Sequence, residues 1–244
     1  MRLIRVHTDA VLRDGELATL AGSAASHVSR VLRLRAGDAV TLFNGDGWDY
    51  PGRVRSLPGQ RVEVELGSRQ PGLPESPLAV DLLQGVARGE RMDLVVQKAT
   101  ELGVARILPV LAGRSVVRLD PRQAQRKQAH WQAIAVSACE QCGRSRVPVV
   151  GPPRSLAESL AEDGLPAGRF MLAPGAPVAL NALAPGTAGV ALLIGPEGGL
   201  TDSERAAAAQ AGFEARALGP RILRTETAAL VALAVLQSVC GDLR

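Results

Sequence analysis

Two glycine-rich turns, one strand–helix–strand unit apart, constrain this 244-residue chain more than any other feature. The first lies in VALLIGPEGGLTDSE (190–204), where an apolar run stops at Gly195 and a proline, an acid and two more glycines follow. TDSE then opens a helix: Thr201 can accept from the amide three residues on, and Glu204 can reach back to the amide of Thr201, a capping box. The second turn, LGPRILRTET (218–227), begins 23 residues after Gly195 and again leads from a short strand into an apolar helix. Turns that end neighbouring parallel strands lie side by side at the carboxyl edge of a sheet, where open α/β sheets bind ligands.

Neither turn is a phosphate loop. The patterns GxxxxGK[ST] and GxGxxG are both absent, and Glu197 would repel a phosphate. The glycines let backbone approach a ligand closely, and a ligand that tolerates an acid there is neutral or cationic, offering donors such as ribose hydroxyls or an amine. Arg221, Arg224, Thr225 and Glu226 cluster just before the last helix. Alone, each turn also reads as a plain strand-to-helix connection, the arginines as a solvated rim and Thr225 and Glu226 as helix-start residues. The pairing of the two turns points to a ligand site.

The rest of the chain supplies the frame. Residues 1–70 read as strands and turns: RVEVEL (61–66) alternates as a half-buried strand, and residues 38–57 read as two strands joined at NGDG. ASHVSRVLRL (25–34) has helical spacing, so this part is a small barrel with one helix. RQPGLPESP (69–77) reads as a linker. From Leu78 strands and helices alternate: strands at 78–86, 106–110, 169–173, 189–195 and 214–219, helices at 91–103, 125–143, 204–212 and 227–239. That pattern predicts a mostly parallel sheet with helices on both faces.

Charge is uneven. Residues 1–72 hold 10 basic and 8 acidic side chains, residues 73–154 hold 12 and 7, and residues 155–244 hold 6 and 9. A basic portion beside an acidic one suits a polyanion held by one part while another does the chemistry; an arginine-rich coding bias would give a similar excess, since arginine outnumbers lysine 26 to 2. Six aromatic residues argue against an RNA surface built on stacking. No basic-then-apolar leader is visible and the longest apolar run, 228–236, is too short to cross a bilayer, so the expectation is a cytoplasmic protein without a membrane partner. CEQC (139–142) is a lone CxxC with only Cys240 and His130 to complete a zinc set, and no metal is expected.

LLIGPEGGLTDSE and LGPRILRTETAAL resemble the paired signatures of the SPOUT class of RNA methyltransferases, and more narrowly the bacterial small-subunit ribosomal RNA uridine-N3 methyltransferase family. RGERMDLVVQKATELGV (88–104), AVSACEQCGRSRVP (135–148) and HVSRVLRLRAGD (27–38) extend the likeness along the chain. The resemblance implies an α/β fold of SPOUT type, with a C-terminal trefoil knot, over residues 73–244. It implies a PUA-like β-barrel that binds RNA over residues 1–72. The implied cofactor is S-adenosyl-L-methionine, a sulfonium cation without a phosphate, held by Leu172, Ile194, Gly195, Glu197, Gly198, Gly199, Leu218, Gly219, Ile222, Leu223 and Arg224. The implied substrate is N3 of a uridine in 16S ribosomal RNA or the small subunit, and the implied assembly is a homodimer.

For the chemistry, Arg224 is the first candidate to stabilise a uracil anion. Glu226 is the candidate base, or the residue that orients Arg224. Arg30, Arg33 and Arg35, the stretch Arg122, Arg126 and Lys127, and Arg144 are candidates to meet RNA; such phosphate contacts position an RNA without choosing a base. Gln97, Lys98, Glu101 and Gln141 match the family's other segments as RNA-side or scaffold residues. The rival readings are a related enzyme acting on another RNA position, a ribosome-assembly factor without activity, and a metal or redox protein built on CEQC.

Overall fold

In the computed structural model, which describes residues 4–183 and 187–243, the chain divides into two units: Met1–Glu75 with Val136–Val147, and Ser76–Ala135 with Pro148–Arg244.

The first unit is built on short strands. They are β1 (Arg5–His7), β2 (Leu17–Leu20), β3 (Ala39–Phe43), β4 (Trp48–Ser56), β5 (Val62–Leu66) and β6 (Gln70–Pro71), with α1 (Gly22–Ser26) between β2 and β3. The sheet order is β1-β3-β4-β5-β2 with β6 on β4. The alternation of β5 is real: Val62, Val64 and Leu66 are buried while Glu63 and Glu65 are not. The NGDG turn closes by side-chain bonds to backbone, Asn44 accepting from the Asp46 amide at 3.2 Å and Asp46 from the Trp48 amide at 2.8 Å. Three details differ from the sequence expectation. The helix over 25–34 is α1 followed by a π-helical turn at His27–Val31, which leaves Val31 exposed while Val28 stays buried. The Pro/Gly-rich stretch contains β6, paired to β4. Residues 136–147 join this unit because Ser145 donates to Asp49 at 2.5 Å, Arg5 donates to Ser145 at 3.0 Å, and Arg144 pairs with Glu75.

The second unit carries a parallel sheet. Its elements are β7 (Ala79–Gly85), α2 (Arg91–Glu101), β8 (Val104–Leu111), α3 (Pro121–Cys142, whose last turns belong to the first unit), β9 (Val149–Val150), β10 (Arg154–Ser155), α4 (Leu156–Leu160), β11 (Gly168–Leu172), β12 (Gly189–Ile194), α5 (Asp202–Gln210), β13 (Glu214–Arg216) and α6 (Thr225–Cys240). The order is β10-β8-β7-β12-β11-β13, with β9 on β8, and every pairing is parallel. One face packs Leu83, Val110, Met171, Ala191 and Leu193 against Leu156 of α4 and Ala208 of α5. Alternate residues of a strand point to opposite faces, so Gln84 serves the other face, where α6 packs on β7, β12 and α2. Helices therefore cover both faces, as the strand–helix alternation predicts. After α2, Gly103 takes the left-handed conformation that ends a helix, with φ 77°.

The central strand also has to admit the first glycine turn. A side chain at Gly85, the end of β7, would place its Cβ 2.3 Å from the backbone nitrogen of Pro196. The glycine there is a requirement of close packing between a strand end and a turn.

Candidate functional site

Strand β12 ends at Ile194 and the chain turns at once. The amide of Gly199 donates to the carbonyl of Pro196 at 2.8 Å, and Gly199 sits at φ 68°. A Cβ at Gly195 would stand 3.1 Å from the backbone of Gly199 and Leu200, and one at Gly198 would stand 3.0 Å from Arg114. The capping box forms as expected: Thr201 accepts from the Glu204 amide at 3.2 Å, and Glu204 accepts from the Thr201 amide at 2.8 Å. The other oxygen of Glu204 accepts from the amide of Gly113 at 2.7 Å, which ties the loop after β8 to the turn. Burial raises the Glu204 carboxyl, but the bonds from Gly113 and Thr201 and the nearby Arg114 outweigh it and hold the group below the ordinary carboxylate range.

The second turn follows β13 and passes through Gly219 at φ 76° to the first residue of α6. A relay of buried hydrogen bonds joins the turns. The Gln84 amide nitrogen donates to the Thr225 hydroxyl at 2.9 Å, and that hydroxyl donates to the carbonyl of Gly195 at 2.7 Å. Gln84 is fully buried and Thr225 nearly so. One side chain from β7 and one from α6 thus fix the ends of both loops at the carboxyl edge of the sheet.

Together with the loop after β11 the turns enclose a cavity of about 510 Å³. Of the residues expected to hold a cofactor, Leu172, Ile194, Glu197, Gly199, Leu218, Gly219, Ile222, Leu223 and Arg224 line it. Gly195 and Gly198 do not; they serve the tight packing of the turn itself. Ala173, Pro174, Pro196, Thr225 and Ala228 also line it, as do Arg221 and Arg91. Nothing local in the sequence marks Arg91 as a site residue, although it stands in the RGERMD segment.

Arg91 lies between two acids. Its guanidinium donates to Glu197 at 2.9 Å and approaches Glu226 to 3.8 Å. Glu197 also accepts from the amide of Arg88 at 3.0 Å. Burial alone would raise the Glu197 carboxyl; the bonds from the Arg88 amide, its own amide and Arg91 more than offset this and lower it. The acid of the turn is therefore a held, partly compensated charge and not a bare one. Glu226 is buried in the first turn of α6, and its Oε2 has no hydrogen-bond partner among the described residues. It does not line the cavity, whereas Arg224 lies exposed on its lip.

The residues expected to meet RNA divide. Arg30, Arg33 and Arg35 are exposed in the first unit, and Arg122, Arg126 and Lys127 are exposed on α3 in the second. Arg118 and His130 join Arg126 and Lys127 around a second surface cavity of about 440 Å³. Arg144 needs correction: it is 6% exposed and its guanidinium is engaged by Glu75, so it holds the first unit together and presents no free charge to a phosphate. Gln97 and Gln141 are exposed, and Lys98 pairs with Glu101 at 2.8 Å. Cys139 is buried and its thiol donates to the carbonyl of Arg146 at 3.6 Å. The hydrogen bond with Cys142, then burial, pushes that thiol up, away from the thiolate that metal binding or redox chemistry uses. Among the described residues no group of three or more His, Cys, Asp or Glu is placed to hold a metal, and no helix is long and apolar enough to cross a membrane.

Comparison with known proteins bears on the same segments. The RNA methyltransferase domain family matches residues 74–237, and the RNA methyltransferase PUA domain family matches residues 20–67. The chain is 31% identical over 242 residues to the ribosomal RNA small subunit methyltransferase E of Buchnera aphidicola from Schizaphis graminum, covering 99% of this chain and 98% of that one. It is 30% identical over 233 residues to the protein of the same name from Bacillus subtilis, covering 92% and 91%. Among solved structures, a ribosomal RNA small subunit methyltransferase E from Neisseria gonorrhoeae bound to S-adenosyl methionine matches with a TM-score of 0.91 and 37% identity over the whole of both chains. A Legionella pneumophila methyltransferase in complex with the cofactor SAM matches with a TM-score of 0.94 and 38% identity, also over both whole chains.

Two outcomes follow from the site's hydrogen bonds. Thr225→Val keeps the shape but removes both links of the relay, and is expected to cost about 1–3 kcal/mol in urea unfolding; Thr225→Ser is expected to recover most of it, and an unchanged midpoint for the valine variant would contradict the relay. The Glu204 carboxyl is lowered in the folded state, so its bonds stabilise the fold above the ordinary range near about pH 4.3 and are lost as pH falls through the lowered folded value. The stability margin of wild type over Glu204→Gln is expected to be full at neutral pH and to shrink on acidification. A margin constant with pH would contradict it.

Proposed function

Since the chain belongs to the RNA methyltransferase domain family, with relatives named ribosomal RNA small subunit methyltransferase E, we propose that it methylates N3 of a uridine in 16S ribosomal RNA with S-adenosyl-L-methionine as donor. The observation that carries this reading is that the two glycine turns share one cavity at the carboxyl edge of a parallel sheet, which is where such sheets take their ligands.

The residues present fit that cofactor. The walls are largely apolar, from Leu172, Ile194, Leu218, Ile222 and Leu223, as an adenosyl group requires. Gly199 and Gly219 bring backbone to the surface, and the volume of about 510 Å³ falls in the range of small-molecule sites. The acid on the wall, Glu197, suits a cation and would oppose a phosphate. When bound, the cofactor supplies the methyl group.

The chain's own residues would do the rest. Uracil N3 must lose its proton before or during transfer. Glu226 is the proposed acceptor, through the buried Oε2 that has no hydrogen-bond partner among the described residues; because Glu226 does not line the cavity, that atom would have to be uncovered when the RNA binds. Arg224, on the lip of the cavity, would stabilise the negative charge that develops on the base. Arg30, Arg33, Arg35, Arg122, Arg126 and Lys127, all exposed, would hold phosphates. Residues 1–72 would act as the PUA-like RNA-binding part and residues 73–244 as the methyltransferase part, with the loops around the two turns threaded as a trefoil knot. Exposed Ile222, Val231 and Val239, on the second turn and α6, favour a homodimer formed through that region. A cytoplasmic location goes with a ribosomal substrate.

Calorimetric titration with S-adenosylmethionine, alone and with small subunits present, tests the reading. Wild type is expected to bind. Gly219→Val, which forces a β-branched residue to φ 76° at the cavity wall, is expected to lose binding by at least about tenfold while remaining folded. A folded wild type that binds in neither condition would overturn the proposal.

A further inference from the structure

The first turn carries an acid, and the fold spends a guanidinium on it. Arg91 is the first residue of α2 and lines the cavity with its side chain 45% exposed. It serves Glu197, from the turn after β12, at 2.9 Å, and Glu226, from the start of α6, at 3.8 Å. One cation therefore faces two carboxylates, and the cluster carries one formal negative charge in excess. Glu197 does not depend on Arg91 for its position, since the Arg88 amide also holds it at 3.0 Å.

The position of these charges decides what they do. Glu197 has 27% and Glu226 11% of its side chain exposed, so their field acts partly through protein. Arg221 and Arg224 also line the cavity and, like Glu197, are exposed residues that water and salt screen, whereas Glu226 is buried. The most buried charge beside the site is thus an acid, Glu226, although arginines outnumber acids three to one in the cavity lining.

We propose that Glu197, Arg91 and Glu226 form a specificity-determining charge cluster, by which the cavity prefers a sulfonium ligand over the corresponding neutral thioether. This rests on the cofactor reading above and deepens it. A methyl donor that is a sulfonium cation becomes a neutral thioether when the methyl leaves, so a cavity that reads this charge favours the charged donor and weakens its hold on the spent product. The shape of the two ligands differs by one methyl group, and charge is the property that separates them most. Arg91 sets the strength of the preference: it offsets part of the acid charge, and without it the cavity would read the sulfonium more strongly.

The test is calorimetric titration of the full-length protein with S-adenosylmethionine and with S-adenosylhomocysteine, comparing the ratio of the two dissociation constants between variants. Glu197→Gln removes one negative charge and is expected to shift the ratio about threefold toward the thioether. Arg91→Met unmasks the acids and is expected to shift it about threefold the other way. Arg91→Lys keeps the charge and is expected to leave the ratio at the wild-type value. Glu226→Gln, which removes the more buried of the two acids, is expected to shift the ratio in the same direction as Glu197→Gln, which tests the claim even if one of those variants fails to fold. A cluster that only braces the turns would change both affinities by the same factor, and unchanged ratios in folded Glu197→Gln and Arg91→Met overturn the inference while leaving the cofactor reading intact. Wild type that binds neither ligand, alone or with small subunits, overturns both together.

Discussion

The hydrogen-bond relay from Gln84 through Thr225 to the carbonyl of Gly195 is the interaction on which the site depends. A glycine turn is permissive, and two of them side by side would not by themselves share one geometry. Gln84 belongs to β7, which has β8 on one side and β12 on the other. Thr225 opens the last helix. A fully buried amide bonded to a buried hydroxyl is costly to break, because its partners would be left unsatisfied. The relay therefore converts the rigidity of the sheet into fixed positions for both loops, and Gly85 completes the arrangement by leaving room for Pro196.

Around this fixed point the charges are arranged in two tiers. Exposed Arg91 joins Glu197 on the cavity wall to buried Glu226 behind it, and Arg221 and Arg224 stand exposed on the same wall. Loop and turn are linked as well: Glu204 caps α5 and holds the amide of Gly113 with its other oxygen. The segment that follows leads to the exposed arginines at the start of α3. A backbone that must move there to meet an RNA would do so against bonds that also define the first turn.

Local pattern carried the parts of this account that are local. The capping box at Thr201 and Glu204, the alternation in β5, the parallel order of strands and helices and the pairing of the two turns all follow from residues a few positions apart. Most of the cavity wall was legible for the same reason, since Ile194, Glu197, Leu218 and Leu223 stand in the turns themselves. The rest depends on contacts far apart in the chain. Arg91 meets Glu197 across 106 positions, and Gln84 meets Thr225 across 141; neither partnership has a periodic signal. Arg144 reads as a free cation until Glu75, 69 positions away, is placed on it. Gly195 and Gly198 read as ligand-facing because the sequence cannot separate a glycine needed by a ligand from one needed by the turn. β9 and β10, two residues each, are too short for any periodicity to show.

The proposed activity is transfer of a methyl group to one nitrogen of one base. The most direct test supplies small ribosomal subunits that lack the modification, with the purified protein and S-adenosylmethionine carrying a labelled methyl group, and identifies the labelled nucleoside by mass spectrometry after digestion. Label is expected in 16S ribosomal RNA as N3-methyluridine at a single position. Label on another base or another atom, or no label from a protein that binds the cofactor, would contradict it.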